Sequence, residues 1–214
     1  TFFDPACGCG NFLVISYREL RELELKVLRA DHELSAHKGQ LTVDVHALIG
    51  VNVDQFYGIE IEEFPAQIAQ VALWLVDHQM NLRVSVEFGL YFARIPLTST
   101  PGIRHDNALR VDWYEVLPAQ RCSYVLGNPP FVGHHYQTAE QKEDQQRIMA
   151  NISAAGVIDF VANWHIKAAE YIQGTKTKVG FVSTNSISQG EQVGVAHDIV
   201  GDSAVPAGQL GECS

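Results

Sequence analysis

The stretch "SYVLGNPPF", residues 123–131, ends an apolar run on an amide, two prolines and a phenyl ring. Neither Pro129 nor Pro130 has a backbone N–H and both have a fixed φ, so a strand cannot continue through them. Asn128 supplies a side-chain carbonyl and Pro129 a main-chain carbonyl, and the Pro-Pro step makes both acceptors rigid. Two preorganised acceptors suit a substrate with N–H groups, and Phe131 offers a stacking face. The alternative is a simple strand terminator with Phe131 in the core.

A glycine-rich turn follows the first apolar strand. In "DPACGCGNFL", residues 4–13, Gly8 and Gly10 let the backbone turn tightly and let a ligand approach it closely. A dinucleotide fingerprint needs a third glycine, but Leu13 stands at that position, and the sequence contains no G-K-[ST] of a phosphate loop. The turn therefore suits a nucleoside ligand that carries no pyrophosphate.

Glu60 ends the second predicted strand and is the acid that would serve this turn. A carboxylate at the tip of that strand can accept hydrogen bonds from both ribose hydroxyls of a nucleoside. The usual separation between turn and acid is about 20 residues, and a long first helix with its loop explains the larger separation here. Alternatively, Glu60 only caps the helix that follows, because the first turn of a helix favours acids.

The elements that must position these residues alternate between strands and helices. Short apolar runs predict strands over 1–4, 56–59, near Ile103, 123–126 and 178–183. Apolar residues at helical spacing predict helices over 11–37, 61–80 and 159–172, while the polar segment 139–149 predicts a surface helix or lid. The alternation indicates an α/β fold with a mostly parallel, twisted sheet and helices on both faces.

Helix 61–80 has the clearest periodicity of the predicted helices. Its apolar residues on one face are Phe64, Ile68, Val71 and Leu75. This spacing is typical of an amphipathic helix.

The composition is that of a globular protein with a core, since 46% of the 214 residues are hydrophobic and 19% are charged. The net charge is −10, whereas a protein that holds DNA by itself should carry a basic face. Either the chain binds no nucleic acid, or the binding surface is local or lies on segments outside this sequence. No apolar run is long enough to span a membrane, so no membrane contact is expected, and the oligomeric state stays open.

Cysteine and histidine residues give no metal site. The four cysteines, Cys7, Cys9, Cys122 and Cys213, do not form a disulfide framework, which favours a reducing cytoplasm. The pair in the glycine turn lacks a second pair of ligands, so small side chains that fit the turn are the better explanation. The histidines at 134–135 are expected to be loop residues near a substrate, and no metal is predicted.

Three blocks of the sequence resemble a known family. In order and strand position, "DPACGCGNF", "YGIEI" and "NPPF" are similar to motifs I, II and IV of S-adenosylmethionine-dependent N6-adenine DNA methyltransferases. The strings "YGIEIEEFPAQIAQVALWLVDHQMN", "NPPFVG" and "FVSTNSISQGEQV" resemble the MmeI-like single-chain restriction-modification enzymes. The resemblance implies a Rossmann-like class I methyltransferase fold in a prokaryotic cytoplasm. It predicts a partial catalytic domain over 1–193, truncated at both ends, and a loosely ordered or non-native tail over 194–214.

The resemblance also implies which residues bind S-adenosylmethionine. The glycine turn would surround the methionine part, Glu60 would hold the ribose and Ile61 would pack against the adenine. The third-strand motif usually carries an Asp that bonds the adenine amino group, and the match "DNAL" places Asn107 there and Asp106 one residue earlier. The full set implied for the cofactor is Asp4, Pro5, Ala6, Cys7, Gly8, Gly10, Asn11, Phe12, Glu60, Ile61, Asp106, Asn107 and Ala108.

For Asn128, Pro129, Pro130 and Phe131 the resemblance implies catalysis of methyl transfer to the N6 amine of a flipped adenine in DNA. This amine is a poor nucleophile because its lone pair is delocalised into the ring, and two acceptors aimed at its N–H groups would localise that pair. Flipping the base costs a few kcal/mol, and stacking on an aromatic ring can return about 1–3 kcal/mol.

Double-stranded DNA is thus the expected partner, held largely through segments outside this sequence. The same chemistry on a protein glutamine or an RNA adenine is an alternative, because those enzymes also use N-P-P-[FY]. An inactive, cofactor-binding or scaffolding fragment is an alternative of a different class. The long insertion before Glu60 and the extended resemblance favour DNA.

Overall fold

The computed structural model describes residues 1–37, 49–88, 100–150 and 159–182. Its strands are β1 (Phe2–Asp4), β2 (Phe56–Glu60), β3 (Gly102–His105), β4 (Tyr124–Gly127) and β5 (Lys178–Phe181). They form one sheet in the order β3-β2-β1-β4-β5, and every neighbouring pair is parallel. The predicted α/β fold with a parallel sheet is therefore confirmed.

The described part of the chain contains α1 (Asn11–His37), α2 (Glu63–Phe88), α3 (Trp113–Val116), α4 (Ala139–Ile148) and α5 (Ala162–Tyr171). Single 3-10 turns cover Val53–Gln55, Ala119–Arg121 and His134–Tyr136. α1 has the predicted bounds, α2 continues past the predicted end at residue 80, and α5 begins three residues after the predicted start at 159. None of these helices has both the length and the apolar character needed to cross a membrane.

The strand order places a topological switch point at the centre of the sheet. From β1 the chain runs through α1 to β2 and through α2 to β3 on one side, and later returns to pair β4 with the other side of β1. Right-handed crossovers put α1 and α2 on one face and α5, which packs into the second apolar cluster, on the other. In such sheets ligands bind in the crevice at the carboxyl ends of the strands, where the order reverses.

A separate apolar cluster covers each face of the sheet and fixes the strand ends. On the α1–α2 face, the rings of Tyr17 and Phe56 meet edge to face with centroids 5.3 Å apart. On the other face, Phe3 and Trp113 make the same kind of contact at 5.3 Å. Because β1 is buried between both clusters, the residues that follow it are held on a rigid support.

The apolar face predicted for α2 lies mostly toward solvent. Phe64 is 72% exposed and Leu75 is 58% exposed, whereas Ala66 and Ala69 are buried. Ala69 contacts the glycine turn so closely that a Cβ atom at Gly10 would stand 2.9 Å from its Cβ. The helix therefore packs through a neighbouring face, on which Leu73, Val76 and Met80 are buried together with the small residues that allow close approach at Gly10.

A capping box fixes the start of the polar helix α4. Thr138 Oγ1 accepts a hydrogen bond from the Gln141 N–H at 3.2 Å, and Gln141 Oε1 accepts one from the Thr138 N–H at 2.9 Å. This reciprocal pair satisfies two backbone donors at the helix end. The preceding loop is tied to the fold where the Phe160 N–H donates to the Val132 carbonyl at 3.2 Å. The predicted surface helix is therefore positioned beside the ends of the strands.

Candidate active site

A cavity of about 440 Å³ opens at the carboxyl ends of β1, β2 and β4, at the topological switch point. From the first two strands its wall receives Pro5, Ala6, Glu60 and Ile61. From the third and fourth strand ends it receives Asn107, Ala108, Asn128 and Pro130. Eight residues predicted from four separate sequence blocks thus meet at one cavity.

The glycine turn is built by backbone geometry that favours glycine. Gly8 has φ +53° and Gly10 has φ +82°, both in the left-handed region. The Gly10 N–H donates to the Cys7 carbonyl at 2.8 Å and closes the turn. The Cys7 side chain is buried, while Asn11 and Phe12 begin α1 with exposed side chains. These residues shape the turn and do not line the cavity.

Glu60 joins the second strand to this turn. Its Oε2 accepts a hydrogen bond from the Gly8 N–H at 2.9 Å, and its Oε1 accepts one from the Glu62 N–H at 3.0 Å. Each carboxylate oxygen has a second lone pair available. The side chain therefore does both things that the sequence left open: it caps the backbone before α2, and it presents acceptor capacity at the cavity wall.

Asp4 is the most enclosed acid near the site, with 1% of its surface exposed. Its Oδ1 accepts a hydrogen bond from the Ala6 N–H at 3.0 Å, while Oδ2 has no partner within the described residues. Burial raises the pKa of Asp4 to about 7, with a smaller upward contribution from the charge of Glu60 and a downward one from the Ala6 N–H. A carboxyl with this pKa exchanges its proton near neutral pH.

The two candidates of the third-strand motif have different surroundings. Asp106 forms a salt bridge with Arg104, whose Nε lies 3.0 Å from Asp106 Oδ2, and it does not line the cavity. Asn107 lines the cavity, and its Oδ1 accepts from the Leu109 N–H at 2.9 Å. The position that the resemblance aligned with the family's Asp is therefore the one at the cavity wall.

The Asn-Pro-Pro-Phe turn follows β4 directly. Asn128 and Pro130 are exposed and line the cavity, whereas Pro129 is buried. Phe131 is 43% exposed and lies outside the cavity wall. The ring is therefore accessible next to Pro130 in the chain and is not packed in the core as the alternative interpretation required.

Part of the wall was missed by the sequence analysis. Helix α4 and its cap contribute Thr138, Glu140, Gln141 and Asp144, and the α5 region contributes Phe160 and Trp164. The polar segment 139–149 predicted a surface helix, but the contact of this helix with the third-strand loop joins residues far apart in sequence. Trp164 is fixed where its Nε1–H donates to the Pro5 carbonyl at 3.1 Å.

The wall is mainly apolar, with a few polar groups at the strand ends. Such a surface suits a planar, nucleoside-like ligand that is oriented by a small number of hydrogen bonds. Within the described ranges, no group of three or more His, Cys, Asp or Glu side chains is arranged to hold a metal ion.

A parallel sheet with this cavity at its switch point, a glycine turn after β1 and an acid at the tip of β2 is typical of Rossmann-like nucleoside-binding folds, which include the class I methyltransferases. The model of the MmeI DNA-methyltransferase domain matches residues 1–205. The chain belongs to this family.

Two similar proteins support this family assignment. The chain is 60% identical to a solved structure of the Type IIL restriction-modification enzyme MmeI in complex with DNA, with a TM-score of 0.85 over 94% of the chain. It is 41% identical over 197 residues to "DNA methyltransferase A" of Bacillus subtilis (strain 168), which covers 91% of the chain. The chain spans only 26% of the first relative and 22% of the second.

A more distant structure has the same fold. The ATP-dependent Type ISP restriction-modification enzyme LlaBIII, solved bound to DNA, is 14% identical with a TM-score of 0.54. It covers 92% of the chain, and the chain covers 14% of it. At this identity the likeness extends to the fold alone.

Proposed function

We propose that this chain is the catalytic domain of a prokaryotic, cytoplasmic restriction-modification enzyme. It transfers a methyl group from S-adenosylmethionine to the exocyclic N6 amine of an adenine that is flipped out of double-stranded DNA. The single observation that carries this proposal is the meeting of Glu60, Asn107 and Asn128 at one cavity. The names of the relatives, a DNA methyltransferase and a restriction-modification enzyme in complex with DNA, support DNA as the substrate.

The residues at the cavity fit S-adenosylmethionine. A volume of about 440 Å³ suits a small cofactor, and Glu60 offers acceptors for ribose hydroxyls. The glycine turn would hold the methionine part, and Ile61 and Ala108 would contact the adenine. When bound, this cofactor supplies a methyl group on a positively charged sulfur.

The Asn-Pro-Pro turn would activate the amine of the target base. The Asn128 side-chain carbonyl and the Pro129 main-chain carbonyl accept hydrogen bonds from the two N–H groups, which localises the nitrogen lone pair and stabilises developing positive charge. Because neither proline has an N–H, the turn offers these acceptors without a competing donor. Phe131, exposed beside the cavity, would stack on the flipped base.

DNA would be held mainly by other parts of the protein. The chain has a net charge of −10, and it accounts for about a quarter of the length of its relatives. Phosphate contacts need clustered Lys and Arg, which this domain lacks in number, with 15 basic against 25 acidic residues. We therefore expect weak DNA binding and weak S-adenosylmethionine binding by the 214-residue chain alone.

The test uses the complete polypeptide encoded by the gene. We expect Asn128→Ala to abolish transfer of tritiated methyl groups to duplex DNA while binding of S-adenosylmethionine, measured by calorimetry, stays within about threefold. The matched control is Gln120→Ala, which removes an exposed amide before the opposite end of β4. Mass spectrometry of digested DNA from the wild-type reaction identifies the product nucleoside.

Two results would contradict the proposal. Methyl transfer that persists in Asn128→Ala would remove the assigned role of that amide. A wild-type product other than N6-methyladenine, or label found only in RNA or protein, would replace the proposed substrate.

A further inference from the structure

Asp144 connects helix α4 to the loop after β3. It is 3% exposed and accepts hydrogen bonds from two residues of that loop. Asn107 Nδ2 donates to Asp144 Oδ2 at 2.9 Å, and Arg110 Nε donates to Asp144 Oδ1 at 2.6 Å. Arg110 also pairs with Glu140, where Nη2 lies 3.0 Å from Oε1. One buried carboxylate thus joins two elements of the cavity wall.

These contacts fix the direction of the Asn107 amide. Its Nδ2 faces the Asp144 carboxylate and its Oδ1 faces the Leu109 N–H at 2.9 Å. Rotating the amide by half a turn would place oxygen against the carboxylate and NH₂ against the N–H, two repulsive contacts. The remaining lone pair of Oδ1 is therefore presented at the cavity wall as an acceptor with a defined polarity.

We propose that Asp144 is a positioning residue for recognition of the nucleoside base at this cavity. By holding Asn107 with its oxygen available, it makes the site accept a purine that donates from its 6-amino group and disfavour one that carries a 6-oxo group. The inference rests on the proposed use of S-adenosylmethionine and adds a residue that acts through Asn107. A carbonyl facing a carbonyl leaves both acceptors unsatisfied, and sites built for one hydrogen-bonding pattern discriminate strongly for this reason.

Two substitutions distinguish the orientation of the Asn107 amide from the attachment of helix α4 to the loop after β3. Arg110→Met removes the contacts of Arg110 with Asp144 and Glu140 but leaves the bond from Asn107 to Asp144. Asp144→Ala removes the carboxylate and therefore the hydrogen bonds from both Asn107 and Arg110. Glu143→Gln is the matched control, because Glu143 lies on the same helix with its side chain 66% exposed and forms a salt bridge with Arg147.

The experiment is calorimetric titration of the complete protein with two probes, S-adenosylhomocysteine and S-inosylhomocysteine, which differ in the 6-amino against the 6-oxo group. We expect the wild type to bind the adenosyl probe at least about tenfold more tightly. In Asp144→Ala this preference falls about tenfold, because the amide loses one of the two contacts that fix its direction and keeps only the Leu109 N–H. In Arg110→Met and Glu143→Gln the preference is retained even where both affinities change.

The outcomes separate this inference from the proposed function. If the wild type binds neither probe, the proposed cofactor is wrong and the inference falls with it. If the wild type binds S-adenosylhomocysteine but shows no preference, or Asp144→Ala keeps the full preference, the proposed function stands and the role of Asp144 is overturned. Equal loss of affinity for both probes in Asp144→Ala would make Asp144 only a structural support.

A second variant decides the matter if Asp144→Ala does not fold. Asp144→Asn has a single side-chain oxygen, which can receive one of the two donors, while its NH₂ opposes the other. We expect a partial loss of preference in this variant, and an unchanged preference overturns the proposal.

Discussion

The carboxylate of Asp4 lies against the α-carbon of Gly127: a Cβ atom at Gly127 would stand 2.4 Å from Asp4 Oδ1. Asp4 ends β1 and Gly127 ends the neighbouring strand β4, with φ +154°. The next residue is Asn128. The acid at the start of the glycine turn therefore directly supports the strand end that carries the Asn-Pro-Pro turn.

We expect Gly127→Ala to disturb both the glycine turn after β1 and the Asn-Pro-Pro turn after β4. The added methyl group has no space beside Asp4, and the backbone conformation at Gly127 is one that L residues rarely adopt. The cost is about 1–3 kcal/mol of local stability, with loss of methyl transfer. Hydrogen exchange of the β1 and β4 amides in the complete protein measures it. Gly180→Ala on β5 is the control, because a Cβ atom there meets nothing within 4 Å. If both variants are equally stable and active, Asp4 moves aside without cost and the contact with Gly127 is not important.

The pKa of Asp4 makes local stability depend on pH. Its pKa is about 7 in the folded domain against about 3.9 in an unfolded chain. An acid whose pKa is raised by folding favours the folded state below the unfolded pKa, and this contribution is lost as pH rises from about 4 to about 7. Glu60 and Cys7 are the titratable groups whose charges act on Asp4 or respond to it.

Asp4→Asn should remove this dependence, because the amide does not titrate. At about pH 8 we expect the variant to be more stable locally than the wild type by up to a few kcal/mol, with a smaller difference at about pH 5. Exchange rates of the β1 amides, corrected for intrinsic pH dependence, measure the difference. Asp54→Asn, at an exposed position, is the control. A difference that is the same at both pH values would contradict the assigned titration.

Glu60→Gln should weaken the glycine turn and the ribose site together. The glutamine side chain has one oxygen, so one of the N–H groups of Gly8 and Glu62 must face an NH₂ group. We expect binding of S-adenosylhomocysteine to fall by about tenfold or more. Glu63→Gln, which changes an exposed acid at the start of α2, is the control and should have little effect. Unchanged affinity in Glu60→Gln would exclude a ribose contact.

Sequence patterns predicted the strands and the residues that follow them well, because strand ends and glycine turns are local features. Gly8, Glu60 and Asn128 come together because carboxyl ends of parallel strands share one edge of the sheet. The packing face of α2 was not predictable in this way. Both faces have apolar residues at helical spacing, and the structure buries the face with Ala69, Leu73 and Met80, where Ala69 approaches Gly10 closely.

The contribution of helix α4 to the cavity wall could not be predicted from local sequence patterns either. Asp144 contacts Asn107 and Arg110 across 37 and 34 positions of the chain. An acidic residue in a polar helix normally indicates a solvated face. Only the three-dimensional arrangement distinguishes Asp144, which is buried, from its exposed neighbour Glu143.

Phe131→Ala tests whether the exposed ring stabilises a flipped base. Loss of one stacking contact of about 1–3 kcal/mol should lower kcat/KM for duplex DNA roughly tenfold to a hundredfold. A duplex with a mismatch opposite the target adenine lowers the cost of flipping, so we expect the variant to recover part of its rate on that substrate. Phe131→Tyr keeps a ring of similar size and should retain most of the activity. If Phe131→Ala keeps the wild-type kcat/KM on both the matched and the mismatched duplex, the ring does not stabilise a flipped base.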